Sequence, residues 1–414
     1  MQYGLIGEKL GHSFSKYIHE QIENHEYILK EIPKDEIDTF WCDKNFKAVN
    51  VTIPYKQSML SHLDFISERA KKIGAVNTVV NKKGKLYGYN TDCLGMRAMI
   101  QKAGISISGK KVLVLGTGGT SKTARVVALE EGAEEVLIVS RSKKDNSITY
   151  DEAFKNHSDA HIIINTTPCG MYPDVDASPI DISKFPRLEG VVDAIYNPIR
   201  TKLVSEAVKK GIKAVGGLYM LVSQAVYAAE KFHGKSYPES LTDKIFDSLY
   251  SSKENIVLVG MPSSGKSTVG KFIASLTGRN FIDTDDMIVE SQNMHIPEIF
   301  KTYGENKFRD MESISVKEAS GYSGCVIATG GGAVLREENV ASLKQNGRLY
   351  FLDRDLSQLV PTSDRPLASD AQAIQKRYKE RYPIYTSVAD EIIKIDADAN
   401  TIAKRVVMLH SGRR

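Results

Sequence analysis

Short apolar runs alternate with longer amphipathic stretches along most of the chain. In the middle of the first half these runs are Val112–Leu115, Val136–Val139, Ile162–Ile164 and Val191–Val192. Continuous apolar runs of this length, separated by segments with helical spacing, are typical of parallel strands that are buried on both faces. The pattern therefore predicts a doubly wound, Rossmann-like α/β domain over residues 96–215.

The N-terminal part shows the same alternation. The runs "YGLIG", "YILKEI" and "AVNVTIP" predict strands, and "VNTVVNKKGKLYGYN" predicts a hairpin that turns at Lys82-Lys83-Gly84. Residues 1–95 are thus predicted to form a separate α/β lobe. The stretch "LYMLVSQAVYAAEKF" has helical spacing and no strand partner, so helices within 216–249 are expected to pack back onto this lobe.

A third series of strands begins after a polar stretch. The apolar runs are "NIVLVG", "CVIATG", "RLYFLD" and "EIIKID", separated by charged helical segments. They predict another α/β domain with a parallel sheet over residues 256–414. The polar "YSSKEN", 250–255, is predicted to be a short linker. A length of 414 residues fits two or three domains of ordinary size.

Composition and charge exclude several classes of function. The formal net charge is +4, from 55 basic and 51 acidic residues, and neither half carries the excess that marks a nucleic-acid surface. No apolar run approaches the ~18 residues that span a bilayer, and the start "MQYGLIGEKLGHSF" lacks a signal-peptide pattern. The four cysteines show no metal-ligand spacing, which favours reduced thiols in a cytoplasmic protein that does not associate with membranes.

The segment "GTGGTSKTAR" is a glycine-rich loop between a strand and a helix. Gly116, Gly118, Gly119 and Thr120 would let a pyrophosphate approach bare backbone at a helix N-terminus. A tight strand–helix turn without a ligand is the alternative. Arg141 ends the next strand, where an enzyme selecting NAD would carry an acidic residue. It suits the 2′-phosphate of NADP(H), unless it belongs to a solvated basic turn.

Four polar clusters stand at the ends of predicted strands in the first lobe: "GHSFS", "NVTIPYK", "AVNT" and "YNTD". Each alone is ambiguous, because Asn, Thr and Ser commonly cap helices or form turns. Together they are rich in groups that bind hydroxyls. Their two residues of catalytic type are Lys56 and Asp92. Lys56 could be a surface lysine, but its place at the end of an apolar strand, after Pro54, favours a catalytic role.

These clusters and the segments "GTGGTSKTA", "SRS", "NTTPCGM", "VVDAIYNPIRTKL" and "GGLYMLVSQA" follow one another in an order that resembles the shikimate dehydrogenase family. The resemblance implies NADP(H)-dependent reduction of 3-dehydroshikimate to shikimate, with Lys56 and Asp92 as the catalytic pair. Substrate would be held by Ser13, Ser15, Thr52, Asn77 and Gln224. The nicotinamide end would be lined by Thr166, Met171, Tyr196 and Gly217.

The segment "GMPSSGKS" matches the phosphate-binding pattern G-x-x-x-x-G-K-[ST] directly after a predicted strand. Gly260 and Gly265 shape the loop, and backbone amides up to Thr268 would wrap the phosphates. Lys266 would neutralise the β- and γ-phosphates, and Ser267 would ligate Mg²⁺. The pattern predicts ATP and Mg²⁺ as cofactors of the second half.

Further segments of the second half indicate an acidic, hydroxylated acceptor. A small anionic polyol needs bidentate arginines for its carboxylate, an acidic group at the reacting hydroxyl and close backbone packing. Any one of the candidates could be a surface ion pair or a turn residue. The candidates are Asp283 and Asp285 in "FIDTDDMI", Arg309 in "KFRDME", Gly331 and Gly332 in "ATGGGAV", Arg365 in "SDRPLAS" and Arg381 in "KERYPIY".

The ordered set resembles the shikimate kinase family over about 254–414. The resemblance implies that Asp285 acts at the acceptor hydroxyl, that Asp283 joins Ser267 at the metal, and that Arg365 closes over the ATP phosphates as a lid. The chain would then catalyse two steps of aromatic amino acid biosynthesis. Two alternatives remain: an NAD-linked quinate-type dehydrogenase fused to a kinase of another polyol, and a binding protein that has lost its chemistry.

Overall fold

The structure is a computed structural model that describes residues 1–11, 13–143, 146–359 and 371–412. The chain divides into two compact units. Unit 1 comprises Met1–Tyr196 and Thr201–Phe246, and unit 2 comprises Asn197–Arg200 and Asp247–Arg414. Within the described ranges, no helix combines the length and apolar character needed to cross a bilayer.

The first sheet of unit 1 is mixed. Its strands are β1 (Tyr3–Gly7), β2 (Tyr27–Glu31), β3 (Ala48–Val51), β4 (Phe65–Ile66), β5 (Thr78–Lys82) and β6 (Lys85–Tyr89), in the order β2-β1-β3-β5-β6-β4. The predicted hairpin is present as β5 and β6. Lys83 and Gly84 join them with φ of 54° and 85°, the positive values that a two-residue turn requires.

The second sheet of unit 1 is parallel throughout. It contains β7 (Lys111–Leu115), β8 (Glu135–Ser140), β9 (Ser147–Thr149), β10 (Ile162–Asn165), β11 (Gly190–Asp193) and β12 (Lys213–Val215), in the order β12-β11-β10-β7-β8-β9. Alternate residues enter two cores, with Val112 on one face and Leu113 on the other. The strand order reverses between β7 and β10, which is the crevice where open α/β sheets bind ligands. The predicted Rossmann-like fold is confirmed.

The helices of unit 1 cover both sheets. The long α9 packs against α1 and α5, and its Ala228 and Phe232 share a core with Leu5 and Tyr27 of the first sheet. The helices are α1 (Ser15–Ile22), α2 (Ile37–Asp43), α3 (Tyr55–Ser58), α4 (Glu68–Ile73), α5 (Asp92–Lys102), α6 (Gly119–Glu130), α7 (Tyr150–Asn156), α8 (Lys202–Lys209), α9 (Leu218–His233) and α10 (Glu239–Lys253), whose last turns belong to unit 2.

His19 is a histidine in the core beside the first sheet. Its ring stacks on Tyr27 with the centroids 4.1 Å apart, and the residue is 1% exposed. Burial, with a smaller effect from the charge of His25, lowers the pKa of His19 to about 3. The fold therefore accommodates the neutral imidazole and disfavours the charged one.

We expect His19→Gln to reduce the acid sensitivity of unit 1. Because the folded-state pKa lies below the ordinary 6.5, the contribution of His19 to the free energy of unfolding is complete above pH 6.5 and is lost as pH falls toward 3. At pH 4.5 this loss is roughly 2 to 3 kcal/mol. Trp41, the single tryptophan, is buried in unit 1 and reports its unfolding in denaturant. If the free energy of unfolding falls by the same amount between about pH 7 and pH 4.5 in the parent protein and in His19→Gln, the expectation is contradicted.

Unit 2 has one parallel sheet with helices on both faces. Its strands are β13 (Asn255–Val259), β14 (Phe281–Asp283), β15 (Val326–Ala328), β16 (Gly347–Asp353) and β17 (Glu391–Lys394), in the order β14-β15-β13-β16-β17. Its helices are α11 (Lys266–Thr277), α12 (Thr284–Gln292), α13 (Ile296–Gly321), α14 (Glu337–Asn346), α15 (Ala371–Val388) and α16 (Ala399–Ser411). Gly304, with φ of 77°, interrupts α13.

Residues 250–255, predicted to be a polar linker, are instead regular structure. Helix α10 continues to Lys253, and β13 begins at Asn255. Glu254 and Asn255 are 1% and 0% exposed. The polar side chains belong to the last turn of a helix whose buried face carries Ile245 and Leu249, four residues apart. Polar composition alone does not distinguish a loop from the end of such a helix.

Candidate active sites

Unit 1 contains a cleft of about 310 Å³ that receives side chains from both of its sheets. The residues from the first lobe stand at the ends of β1, β3, β5 and β6, and α9 adds Gln224. The parallel sheet contributes the loops after β11 and β12, and the first turn of α6, which follows β7, adds Thr120. The predicted site residues that line this cleft are Ser13, Ser15, Thr52, Lys56, Asn77, Asp92, Thr120, Tyr196, Gly217 and Gln224.

Lys56 and Asp92 form an ion pair in this cleft. The Nζ of Lys56 donates to Oδ2 of Asp92 at 2.7 Å, and Nδ2 of Asn77 donates to Oδ1 of Asp92 at 2.8 Å. Asn77 is itself held by the backbone N–H of Thr91, which donates to its Oδ1 at 2.8 Å. The Lys56 and Asp92 side chains are 30% and 19% exposed. The ammonium is thus held in place and still open to a ligand in the cleft.

The glycine-rich loop lies at the reversal point of the parallel sheet. Gly116 has φ of 108°, and a Cβ there would lie 2.9 Å from Oγ1 of Thr166 in the loop after β10. In contrast, a Cβ on Gly118 or Gly119 would meet no atom within 4 Å. Helix α6 starts at Gly119, and no side chain caps its first N–H groups. This arrangement suits an anionic group such as a pyrophosphate.

Unit 2 contains a larger cavity, of about 710 Å³, at the carboxyl ends of its strands. It extends from the phosphate-binding loop between β13 and α11 to the start of α13. The predicted site residues that line it are Gly265, Lys266, Ser267, Thr268, Asp283, Asp285, Arg309, Gly331, Gly332 and Arg381. Gly260, with φ of 150°, begins the loop but does not line the cavity.

The phosphate-binding loop holds its lysine and serine by hydrogen bonds. Lys266 is only 7% exposed, and its Nζ donates to the carbonyls of Gly260 and Met261 at 3.0 and 2.9 Å. The hydroxyl of Ser267 donates to Oδ2 of Asp283 at 2.6 Å. The Ser267 hydroxyl and the Asp283 carboxylate are hard oxygen ligands at the end of a phosphate-binding loop, and Mg²⁺ prefers ligands of this kind.

The opposite end of the cavity is basic and closely packed. Arg309 donates from Nη1 to Oε2 of Glu312 at 2.7 Å and from Nη2 to Glu305 at 3.1 Å. Arg381 donates from Nη1 to the carbonyl of Gly331 at 3.0 Å. A Cβ on Gly332 would lie 1.9 Å from Nη1 of Arg309, so only glycine lets the guanidinium occupy this place.

The sequence that forms the cleft of unit 1 is similar to that of known proteins. A family model described as the shikimate dehydrogenase substrate binding domain matches residues 5–79. Shikimate dehydrogenase (NADP(+)) of Clostridium beijerinckii is 41% identical over 270 residues, covering 61% of this chain and 98% of the relative. The chain belongs to the shikimate dehydrogenase family.

Solved structures are similar to the same dehydrogenase part. A chorismate mutase/shikimate 5-dehydrogenase fusion protein from Clostridium acetobutylicum is 39% identical, with a TM-score of 0.56, over 60% of this chain and 96% of that one. Shikimate 5-dehydrogenase from Thermus thermophilus, in complex with NADP(H) and shikimate, is 29% identical, with a TM-score of 0.54, over 60% and 99%. The dehydrogenase thus occupies about 60% of the chain, at its N-terminal end.

The remaining part carries a second enzyme domain. A family model described as shikimate kinase matches residues 262–409. This range contains most of the phosphate-binding loop and the basic end of the cavity in unit 2. The chain is therefore a fusion of a shikimate dehydrogenase and a shikimate kinase domain, as the order of its motifs predicts.

Some predicted residues lie away from the two cavities. Thr166 faces the Gly116 loop, Arg141 follows β8 as an exposed residue, and Met171 is 45% exposed. None of these three lines the cleft of about 310 Å³. The predicted lid residue, Arg365, falls outside the described residues.

Sequence reasoning missed two residues that contact the predicted sites. Glu312 is 1% exposed and holds Arg309, and Asn50 lines the dehydrogenase cleft. Asn50 donates from Nδ2 to the carbonyl of Asn77 at 3.2 Å. The spacing of Arg309 and Glu312 is a signal for their contact, because residues i and i+3 share a helix face. The burial of Glu312 is not predictable from that spacing.

Proposed function

We propose that the dehydrogenase part reduces 3-dehydroshikimate to shikimate with NADPH. The observation that carries this proposal is the Lys56–Asp92 ion pair, held by Asn77 in a cleft rich in hydroxyl and amide groups. Ser13, Ser15, Thr52 and Gln224 would hold the hydroxyls and the carboxylate of the substrate. When bound in this cleft, NADPH would supply the hydride for the ketone carbon.

Lys56 is assigned the role of general acid. Hydride addition builds negative charge on the carbonyl oxygen, which a nearby ammonium stabilises and then protonates. Asp92 would orient Lys56, because its carboxylate accepts from both Lys56 and Asn77. It is also assigned to orient a substrate hydroxyl. Thr120, Thr166, Met171, Tyr196 and Gly217 are assigned to the cofactor, with its pyrophosphate at Gly116, Gly118 and Gly119.

We expect Arg141→Ala to erode a preference for NADPH over NADH. Arg141 is exposed at the end of β8, where a guanidinium can pair with a 2′-phosphate. Losing one charged contact of ~1.5–3 kcal/mol should raise the KM for NADPH about ten-fold or more and leave that for NADH unchanged. Arg187→Ala, at another exposed arginine of unit 1, is the control. Equal kcat/KM values for both cofactors in the parent protein would support the NAD-linked alternative.

We further propose that the kinase domain transfers a phosphoryl group from ATP to the 3-hydroxyl of shikimate. Asp285 would accept the hydroxyl proton, and Arg309 and Arg381 would hold the carboxylate with close support from Gly331 and Gly332. Lys266 and the backbone up to Thr268 would bind the ATP phosphates. Ser267 and Asp283 would hold Mg²⁺, which neutralises phosphate charge, and Arg365 is assigned to the lid.

We expect Arg381→Lys to raise the KM for shikimate strongly. A guanidinium fork holds a planar carboxylate in a fixed pose, whereas an ammonium is a point charge. The loss should be ~10-fold or more in the KM for shikimate, with the KM for ATP changed by less than a few-fold. Arg377→Lys, one turn earlier in α15 and outside the cavity lining, is the matched control. An unchanged KM for shikimate would remove Arg381 from the acceptor site.

Separate assays test the two reactions. NADPH oxidation should require 3-dehydroshikimate and no ATP, and ADP release should require shikimate and no NADPH. We assign the dehydrogenase to residues 1–249 and the kinase to 256–414. Because NADPH and ATP are both produced inside cells, we place the enzyme in the cytoplasm, in aromatic amino acid biosynthesis.

A further inference from the structure

Asp193 is a buried carboxylate that no step above uses. It ends β11, is 0% exposed and does not line the dehydrogenase cleft. Its Oδ1 accepts from Nδ2 of Asn165 and from the backbone N–H of Ile195, both at 3.0 Å. Its Oδ2 accepts from the hydroxyl of Thr201 at 2.7 Å. One side chain thus joins the ends of β10 and β11 and the start of α8.

Two of these partners are next in the chain to residues assigned to the nicotinamide end. Asn165 precedes Thr166, and its Oδ1 accepts from the N–H and hydroxyl of Thr167 at 3.0 and 2.7 Å. Ile195 precedes Tyr196 in the cleft. The loops after β10 and β11 therefore take their relative position from the Asp193 carboxylate.

A third segment is held through the same residues. The N–H of Gly217 donates to the carbonyl of Ile195 at 2.8 Å, and a Cβ on Gly217 would lie 2.2 Å from the carbonyl of Ala194. This close contact places the start of α9 against the loop after β11. The ring of Tyr196 also meets the ring of Phe14 edge-on, with centroids 5.9 Å apart. A shift of the loop would therefore displace Tyr196 and Gly217, which both line the cleft.

The chemistry of the site fits an ionised acceptor. Burial raises the pKa of Asp193 to about 6, and the hydrogen bonds from Thr201, Ile195 and Asn165 oppose this effect. At neutral pH the group is mainly a carboxylate, which only accepts hydrogen bonds. All three of its partners can donate, so the anion is matched to its surroundings.

We propose that Asp193 is a positioning residue of the dehydrogenase, which fixes the loops around the nicotinamide half of the cofactor and leaves the adenosine half unaffected. The proposal rests on the proposed NADPH-dependent reaction. Its physical basis is distance. Asn165 and Ile195 directly precede Thr166 and Tyr196, and Ile195 also accepts from the N–H of Gly217. Arg141, in contrast, lies beyond β7 at the end of β8. Small displacements of a reacting ring cost up to ~100-fold in rate.

The test compares two ligands on Asp193→Ala. NADPH contains both halves of the cofactor, and 2′,5′-ADP contains only the adenosine half with its 2′-phosphate. We expect the Kd for NADPH to rise and kcat to fall, each by ~10-fold, while the Kd for 2′,5′-ADP stays within about two-fold. Asp193→Asn should recover most of both losses, because its amide oxygen still accepts from Asn165 and Ile195.

Ile163→Ala is the matched control for a purely structural effect. Ile163 is fully buried in β10, next to β11 in the same sheet, and makes none of these side-chain hydrogen bonds. It should lower the unfolding temperature without changing the ratio of the two Kd values. If Asp193→Ala does not fold, Asn165→Ala takes its place, because it cuts the link to Thr167 and leaves Ile195 and Thr201 bonded.

Two results would overturn the proposal: an unchanged ratio of the two Kd values in the folded variant, as when both ligands weaken equally, or no recovery in Asp193→Asn. Kinase activity should stay constant in every variant, since these residues belong to unit 1. Failure of the proposed function itself would look different. The parent protein would then not oxidise NADPH with 3-dehydroshikimate at all.

Discussion

Lys56→Ala should slow the reduction of 3-dehydroshikimate, with kcat lowered by ~100-fold or more, the range typical for losing a positioned acid. The Nζ of Lys56 donates to Asp92 at 2.7 Å, and a methyl group cannot supply a proton or a charge in its place. NADPH oxidation at saturating substrate measures the effect. Kinase activity of the same preparation should not change, and the fluorescence of Trp41, which is buried in unit 1, shows that the dehydrogenase part is folded.

The effects of Lys56→Ala and Asp92→Asn on kcat should be strongly non-additive. Because Lys56 and Asp92 act as one unit, Asp92→Asn added to Lys56→Ala should cost little beyond the first change. Lys16→Ala is the matched control, since Lys16 is a 53% exposed lysine of α1 that pairs only with Glu20 among the salt bridges of the described residues. Near-normal reduction by Lys56→Ala would remove this lysine from the chemistry.

Asp285→Asn should slow shikimate phosphorylation, with kcat lowered by ~100-fold and the KM for ATP changed little. An amide cannot accept the proton of the attacking hydroxyl. The position is tightly set: the backbone N–H of Asp285 donates to Asp283 at 3.0 Å, and a Cβ on Gly330 would lie 2.6 Å from Oδ1 of Asp285. Coupled measurement of ADP release reports kcat and both KM values.

The control for this variant is Asp310→Asn. Asp310 is 55% exposed in α13, pairs with Arg336 and is not among the residues that line the cavity. It should retain full phosphorylation, and both variants should oxidise NADPH normally. If Asp285→Asn instead keeps its kcat and loses only affinity for shikimate, Asp285 binds the acceptor but does not take its proton.

The strands and the glycine loops are predictable because their signals are local. A parallel strand buried on both faces must be apolar at consecutive positions, as Val112–Leu115 is. A tight glycine-rich loop needs glycine where the backbone takes a positive φ, as at Gly116 with 108° and Gly265 with 94°. The resemblance to two families then implies roles for Lys56, Asp92 and Lys266.

The residues that sequence reasoning misses have their roles set by tertiary contacts. Glu312 has the spacing of an ordinary surface ion pair, yet it is buried, and the loop of Gly330–Gly332 packs closely against it. Asp193 stands in a segment that carries the family resemblance, yet its partner Asn165 comes from a different strand. The end of α10 is predicted to be a linker because its polar face has the composition of a loop.

The most direct test of the central claim gives the purified chain 3-dehydroshikimate, NADPH and Mg·ATP together and follows the products by mass spectrometry. We predict that shikimate 3-phosphate accumulates, that shikimate accumulates instead when ATP is omitted, and that Lys56→Ala forms shikimate 3-phosphate only when shikimate is supplied. A parent protein that forms no shikimate from 3-dehydroshikimate, or no phosphorylated product from shikimate, would contradict the account.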